Sequence, residues 1–110
     1  MSDIPDIHRC AMELAELADM RDPESQDANR LRYLAFRVER FAAQELQYLD
    51  IEPTRSVLYR SATSLAYQCR EFEQAIELIK VGLAGNPPAE IRAELEELMG
   101  QVNKAMEGYQ

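Results

Sequence analysis

Three features of this sequence predict an all-α fold of about five helices. Apolar residues recur at three- and four-residue steps, and no segment alternates apolar and polar for long. Ala, Leu, Glu and Arg are abundant, with only 4 Gly and no Trp, a balance that favours helix. Proline-centred breaks near positions 22–23, 51–54 and 85–88 divide the chain into helix-sized pieces. Its 110 residues suit one domain with one core, and a chain of that size buries about two-thirds of its unfolded surface.

The first helix is expected from about Pro5 to Met20, with Ile7, Ala11, Leu14, Ala15, Leu17 and Ala18 at helical steps. Asp22-Pro23-Glu24 then reads as a restart: a capping side chain, proline at the first helical position, and an acid at the positive helix end. No breaker follows until Leu49, so the second helix is expected to run roughly 40 Å. Ile51-Glu52-Pro53-Thr54 restarts the chain for a third helix, from about Pro53 to Gln68. The polar turn Cys69-Arg70-Glu71 leads to a fourth, from about Phe72 to Ala84. Gly85 can adopt the left-handed conformation that ends a helix, and Asn86 can cap the next. The fifth helix spans about Pro88 to Met106, with Ile91, Leu95, Leu98 and Val102 on one face, and the last few residues are expected to fray. Short loops imply that neighbouring helices pack antiparallel.

Net charge is −8, which argues against nucleic acid as a partner of the whole surface. The charge is uneven. Residues 28–70 hold seven basic side chains, all Arg: Arg30, Arg32, Arg37, Arg40, Arg55, Arg60 and Arg70. The ends are acidic. Two readings stay open for this basic middle: a solvated face paired with the acidic ends, or an Arg patch that grips a carboxylate or phosphate bidentately. Cys10 and Cys69 stand alone, with neither disulfide nor zinc spacing. The acidic N-terminus does not read as a signal peptide, and no apolar run nears the ~18 residues of a membrane span. A cytoplasmic protein with no membrane association is expected.

Leu58, Ser61-Ala62 and Leu65 in the third helix, Ala75 and Ile79 in the fourth, and Pro87 after it follow a large, small, large pattern closed by proline. With the run Glu73-Gln74-Ala75-Ile76-Glu77-Leu78, residues 54–88 resemble one tetratricopeptide repeat, with one extra residue between Leu65 and Ala75. A fainter copy lies 47 residues earlier, where Ala15, Ala18, Ala28, Leu31 and Phe36 stand for Ala62, Leu65, Ala75, Leu78 and Leu83. That interval exceeds the family's usual repeat of about 34 residues. The resemblance, which extends to small bacterial tetratricopeptide-like proteins, implies a short right-handed α-solenoid. It would comprise degenerate hairpins at 5–49 and 53–84 and a capping helix at 88–106.

The family's geometry would put the first helix of each hairpin on a concave face. Ser56, Tyr59, Thr63 and Tyr67 would then be exposed on the second hairpin, with Arg9, Met12, Glu16 and Met20 on the first. The resemblance thus implies an adaptor or regulatory subunit that holds a peptide or helix in a groove, with Arg55 and Arg60 facing an acidic partner group. The tyrosines could equally pack between helices. The second helix is apolar over a wide arc: Leu31, Leu34, Val38, Phe41, Ala42 and Leu49, flanked by Tyr33, Phe36, Ala43 and Tyr48. Either it is buried between two neighbours, or its far end is a homodimer seam near Phe41, Glu45 and Tyr48. Two further readings are a self-associating structural protein with the second helix as its interface, and an acidic antitoxin- or inhibitor-like protein whose acidic ends mimic nucleic acid or cover a basic partner. No catalytic, metal or cofactor site is expected. His8 and Cys10, two apart, do not share a helix face, and there is no phosphate loop, nucleophile elbow or metal-ligand cluster.

Overall fold

A computed structural model describes residues 3–108 of the chain, as five helices and no strand among those residues. They are α1 (Ile4–Asp19), α2 (Gln26–Glu45), α3 (Thr54–Gln68), α4 (Phe72–Ala84) and α5 (Ala89–Glu107). The expected fraying falls partly on residues 109 and 110, which lie outside the described residues. No described helix is long and apolar enough to cross a membrane.

Local chemistry accounts for most of the boundaries. Pro5 opens the first turn of α1. At α2 the capping residue is Ser25, whose hydroxyl accepts from the Ala28 N–H at 3.1 Å. Asp22 instead folds its carboxylate onto the Glu24 N–H at 3.1 Å, a turn before the helix rather than the cap expected of it. At the start of α3 the Glu52 carboxylate accepts from the Ser56 N–H at 3.2 Å, placing an acid at the positive end of the helix. The Glu52–Pro53 peptide is cis.

Two helix ends depart from expectation. The second helix stops at Glu45, not Leu49. Beyond it the chain tightens into three-residue hydrogen bonds, Leu46 N–H to Ala43, Gln47 N–H to Gln44 and Leu49 N–H to Leu46. Gly85 has φ −88°, so it is not left-handed, and α5 begins behind Pro88 without a side-chain cap from Asn86. The left-handed residue is Arg70, at φ 61°. Around it the Glu71 N–H reaches the Ala66 carbonyl at 2.9 Å and the Arg70 N–H reaches Tyr67 at 3.0 Å, the paired bonds that close a helix C-terminus.

Each helix packs on its neighbour in the chain, and α3 also meets α5. The molecule measures 39 × 35 × 19 Å, so it is about two packed helices thick. Small residues line much of the inside. Ala11 and Ala18 of α1, and Ala28, Ala35 and Ala42 of α2, are fully buried at seven-residue intervals. Alanine there lets backbones approach closely. Phe36, Leu58, Tyr59, Leu65, Leu78, Ile79, Leu95 and Val102 fill the larger spaces. In α5 the expected face does turn inward, with Ile91, Leu95 and Val102 buried and Leu98 half-buried.

Candidate interaction surface

The residues expected to line a groove on α3 are largely inside the protein. Tyr59 is 1% exposed, and Ser56 and Thr63 are fully buried. The reason is that α3 is enclosed by α2, α4 and α5, so little of its circumference is left for solvent. The Thr63 hydroxyl donates to the Tyr59 carbonyl at 2.7 Å, one turn back. The Tyr59 hydroxyl is buried without a partner, and that burial raises its pKa against the opposing pull of Arg55. Tyr67 is half-buried, its ring 6.0 Å from that of Phe72. On α1, Met12 packs half-buried against the core, while Arg9 and Glu16 are exposed and Arg9 pairs with Asp6 at 2.9 Å.

Arg55, expected at the surface, is also buried. Its guanidinium donates to three backbone carbonyls: Nε to Gln47 at 3.0 Å, Nη1 to Gly82 at 3.3 Å and Nη2 to Val81 at 2.8 Å. Val81 and Gly82 belong to the last turn of α4, where carbonyls lack intrahelical donors and the helix dipole is negative, and Gln47 lies in the turn that follows α2. The group also lies over the Tyr59 ring, 4.9 Å from its centre. Gly85 admits it, because a Cβ there would stand 2.9 Å from the guanidinium carbon. Arg55 is therefore a clamp between helix ends, not a partner contact.

Four of the other arginines have partners within the chain. Arg60 pairs with Glu94 of α5 at 2.7 Å, and Arg32 approaches Asp19 at 4.0 Å. Arg40 lies 5.0 Å from the centre of the Phe36 ring and donates to Gln74, while Arg37 lies 6.0 Å from that of Tyr33.

His8 and Glu39 meet across α1 and α2, with Nδ1 and Oε2 2.6 Å apart. The Glu39 side chain is fully buried and its Oε1 has no hydrogen-bond partner. Burial raises its pKa, against the opposing influence of His8 and of the Ser61 hydroxyl, which does not reach hydrogen-bond geometry at Oε1. Among the described residues no group of His, Cys, Asp and Glu could hold a metal ion. Cys69 is half-buried, and burial pushes its thiol up to about 11, so it is a poor nucleophile.

Large apolar side chains are exposed at Leu17 and Met20, at the end of α1, and in greater number on one side of α2 and the segment after it. The wide apolar arc of α2 divides: Phe36, Ala42 and Ala43 are buried, while Leu34 is 47% exposed and Phe41 53%. Leu34, Phe41 and Tyr48 are seven apart, about two turns, so α2 carries the first two on one strip and aims toward the third. Tyr48, just past the helix end, is 90% exposed. Arg30, Arg37 and Glu45 fall on the same strip and are exposed. At one end Asn29, Arg30, Tyr33 and Leu34 form a shallow depression of about 460 Å³. At the other, Tyr48 and Leu49 edge a cleft of about 530 Å³ above Arg55. The strip was legible in the seven-residue interval. The Arg55 clamp and the His8–Glu39 pair were not, because nothing local brings those groups together.

No protein-family model matches the chain, and no curated protein or solved structure matches it.

Proposed function

We propose that this chain is an interaction protein that docks another protein through the outward strip of α2. The observation that carries this reading is the exposure of large apolar groups at seven-residue intervals, Leu34 and Phe41 on α2 and Tyr48 just beyond its end. Scattered apolar residues are ordinary on a surface, but a contiguous apolar patch rimmed by charge marks a contact site. The strip replaces the α3 groove, whose Tyr59, Thr63 and Arg55 serve the interior.

In this proposal the helices stack antiparallel as a short tetratricopeptide-like solenoid. Support comes from the pattern residues Leu58, Ala62, Leu65, Ala75, Ile79 and Pro87, all of them buried, and from the packing of each helix on the next. The chain works by equilibrium binding, as an adaptor or regulatory subunit, with no bond made or broken.

The test is affinity capture from a lysate of the source cell with three proteins: the native chain, Phe41→Asp and Tyr67→Ala. A partner held by the native chain and Tyr67→Ala but lost from a folded Phe41→Asp is the expected result. A partner lost only from Tyr67→Ala would return the site to α3 and sink this proposal.

A further inference from the structure

We infer that the α2 strip is the seam of a two-fold symmetric dimer in which two copies of this chain lay α2 against α2, antiparallel, with the axis passing near Phe41. The inference rests on the reading of the strip as a docking surface and commits it to one occupant.

The argument is the self-complementarity of the strip. Arg37 lies four residues before Phe41 and Glu45 four residues after it. Leu34 lies seven before and Tyr48 seven after. A two-fold axis at Phe41 therefore sets Arg37 of each copy against Glu45 of the other, and Leu34 against Tyr48. A two-fold contact uses the same patch on both partners, so each match occurs twice. A parallel arrangement would oppose like charges instead.

Neither charge is satisfied within its own chain. Among the described residues Arg37 makes no ion pair and rests only near the Tyr33 ring, while Glu45 has no hydrogen-bond or ion-pair partner. The buried side of α2 shows no comparable arrangement: its charged member, Glu39, is matched inside the chain by His8. Leu49 and Ile51, each 48% exposed, extend the apolar surface beyond Tyr48. The helical part of the strip, from Leu34 to Glu45, is about 17 Å long. That is short against the roughly 800 Å² per partner of a standard stable interface, so a dimer that dissociates on dilution is expected.

The experiment is the mass of the full chain by sedimentation equilibrium across rising concentration. The variants are Phe41→Asp, Arg37→Glu, Glu45→Arg and the double swap Arg37→Glu/Glu45→Arg, with circular dichroism verifying that each is folded. The native chain should approach twice its monomer mass and Phe41→Asp should remain monomeric. Each single swap should weaken dimerisation about tenfold, since it sets like charges together twice, and the double swap should recover most of the loss. A native chain monomeric at every concentration, a dimer that survives Phe41→Asp, or a double swap no better than the singles would overturn the inference. If the native chain stays monomeric yet loses a captured protein through Phe41→Asp, the dimer fails while the docking strip stands. If the native chain is monomeric and the capture is indifferent to Phe41→Asp, both fail.

Discussion

Arg55 buries a positive charge with no carboxylate at ion-pair distance among the described residues. The charge is tolerated because three backbone carbonyls accept from it, and hydrogen bonds to a charged group are worth more than neutral ones. Arg55→Ala leaves these carbonyls unsatisfied in a partly closed space. It should cost about 3 kcal/mol, read as a lower midpoint of urea unfolding. Arg55→Lys keeps the charge but cannot reach three carbonyls at once, so it should recover only part of that loss. A midpoint unchanged by Arg55→Ala would remove the clamp. Glu39 supplies a pH dependence. Its folded pKa lies above its unfolded value, so the native state holds its proton more tightly. The stability this group supports is therefore fullest below the unfolded value of about 4.5 and is lost as pH rises through the folded value. Glu39→Gln removes that decline and can still face His8. The difference in Tm between Glu39→Gln and the native chain should accordingly favour the variant more at pH 8 than at pH 5. The opposite trend would show that the carboxylate, paired with His8, is the preferred buried form.

Among the elements, α2 is buried on one side and exposed on the other. Ala28, Ala35 and Ala42 keep its inner side thin. Replacing Ala35 by Leu adds three carbons at a fully buried position, and overpacking of this kind costs about 1–3 kcal/mol. Thermal unfolding of Ala35→Leu should show it, whereas Leu34→Ala next door, on the exposed side, should change stability little. Equal costs at both positions would mean that the outward strip is packed rather than free. The α3–α4 junction shows a different economy of space. Gly82 lies where a Cβ would stand 3.2 Å from both Leu95 and Tyr59, so glycine allows α4 to approach α3 and α5 together. Its carbonyl then falls within reach of Arg55.

At the scale of the whole molecule, a body only 19 Å thin has little depth in which to hide both sides of a helix. The core takes the inner half of α2 and stops, and the outer half, with Leu34 and Phe41, stays exposed. Dimerisation through that half should make stability depend on concentration. The native chain's Tm should rise with protein concentration by mass action, and that of Phe41→Asp should not. Parallel melts at dilute and concentrated protein decide the matter, and a native Tm independent of concentration speaks for a monomer.

The sequence by itself determined the five helices and most of their ends, because helix periodicity, prolines and short polar turns act over a few residues. It also determined which face of α5 turns inward, since Ile91, Leu95 and Val102 form a single stripe. The side chain of Ser25 could have marked the true start of α2, but Asp22-Pro23 offered a competing local signal. Only the tertiary structure decided the rest. The outward positions of α3 went inside because three helices enclose it. The end of α2 fell at Glu45, where the chain tightens, and Arg55, eight residues beyond Gln47, takes that residue's carbonyl. His8 and Glu39 met across 31 residues. A helix needs only its neighbours in sequence to form. Which of its faces reaches water is settled by what the remaining helices leave uncovered.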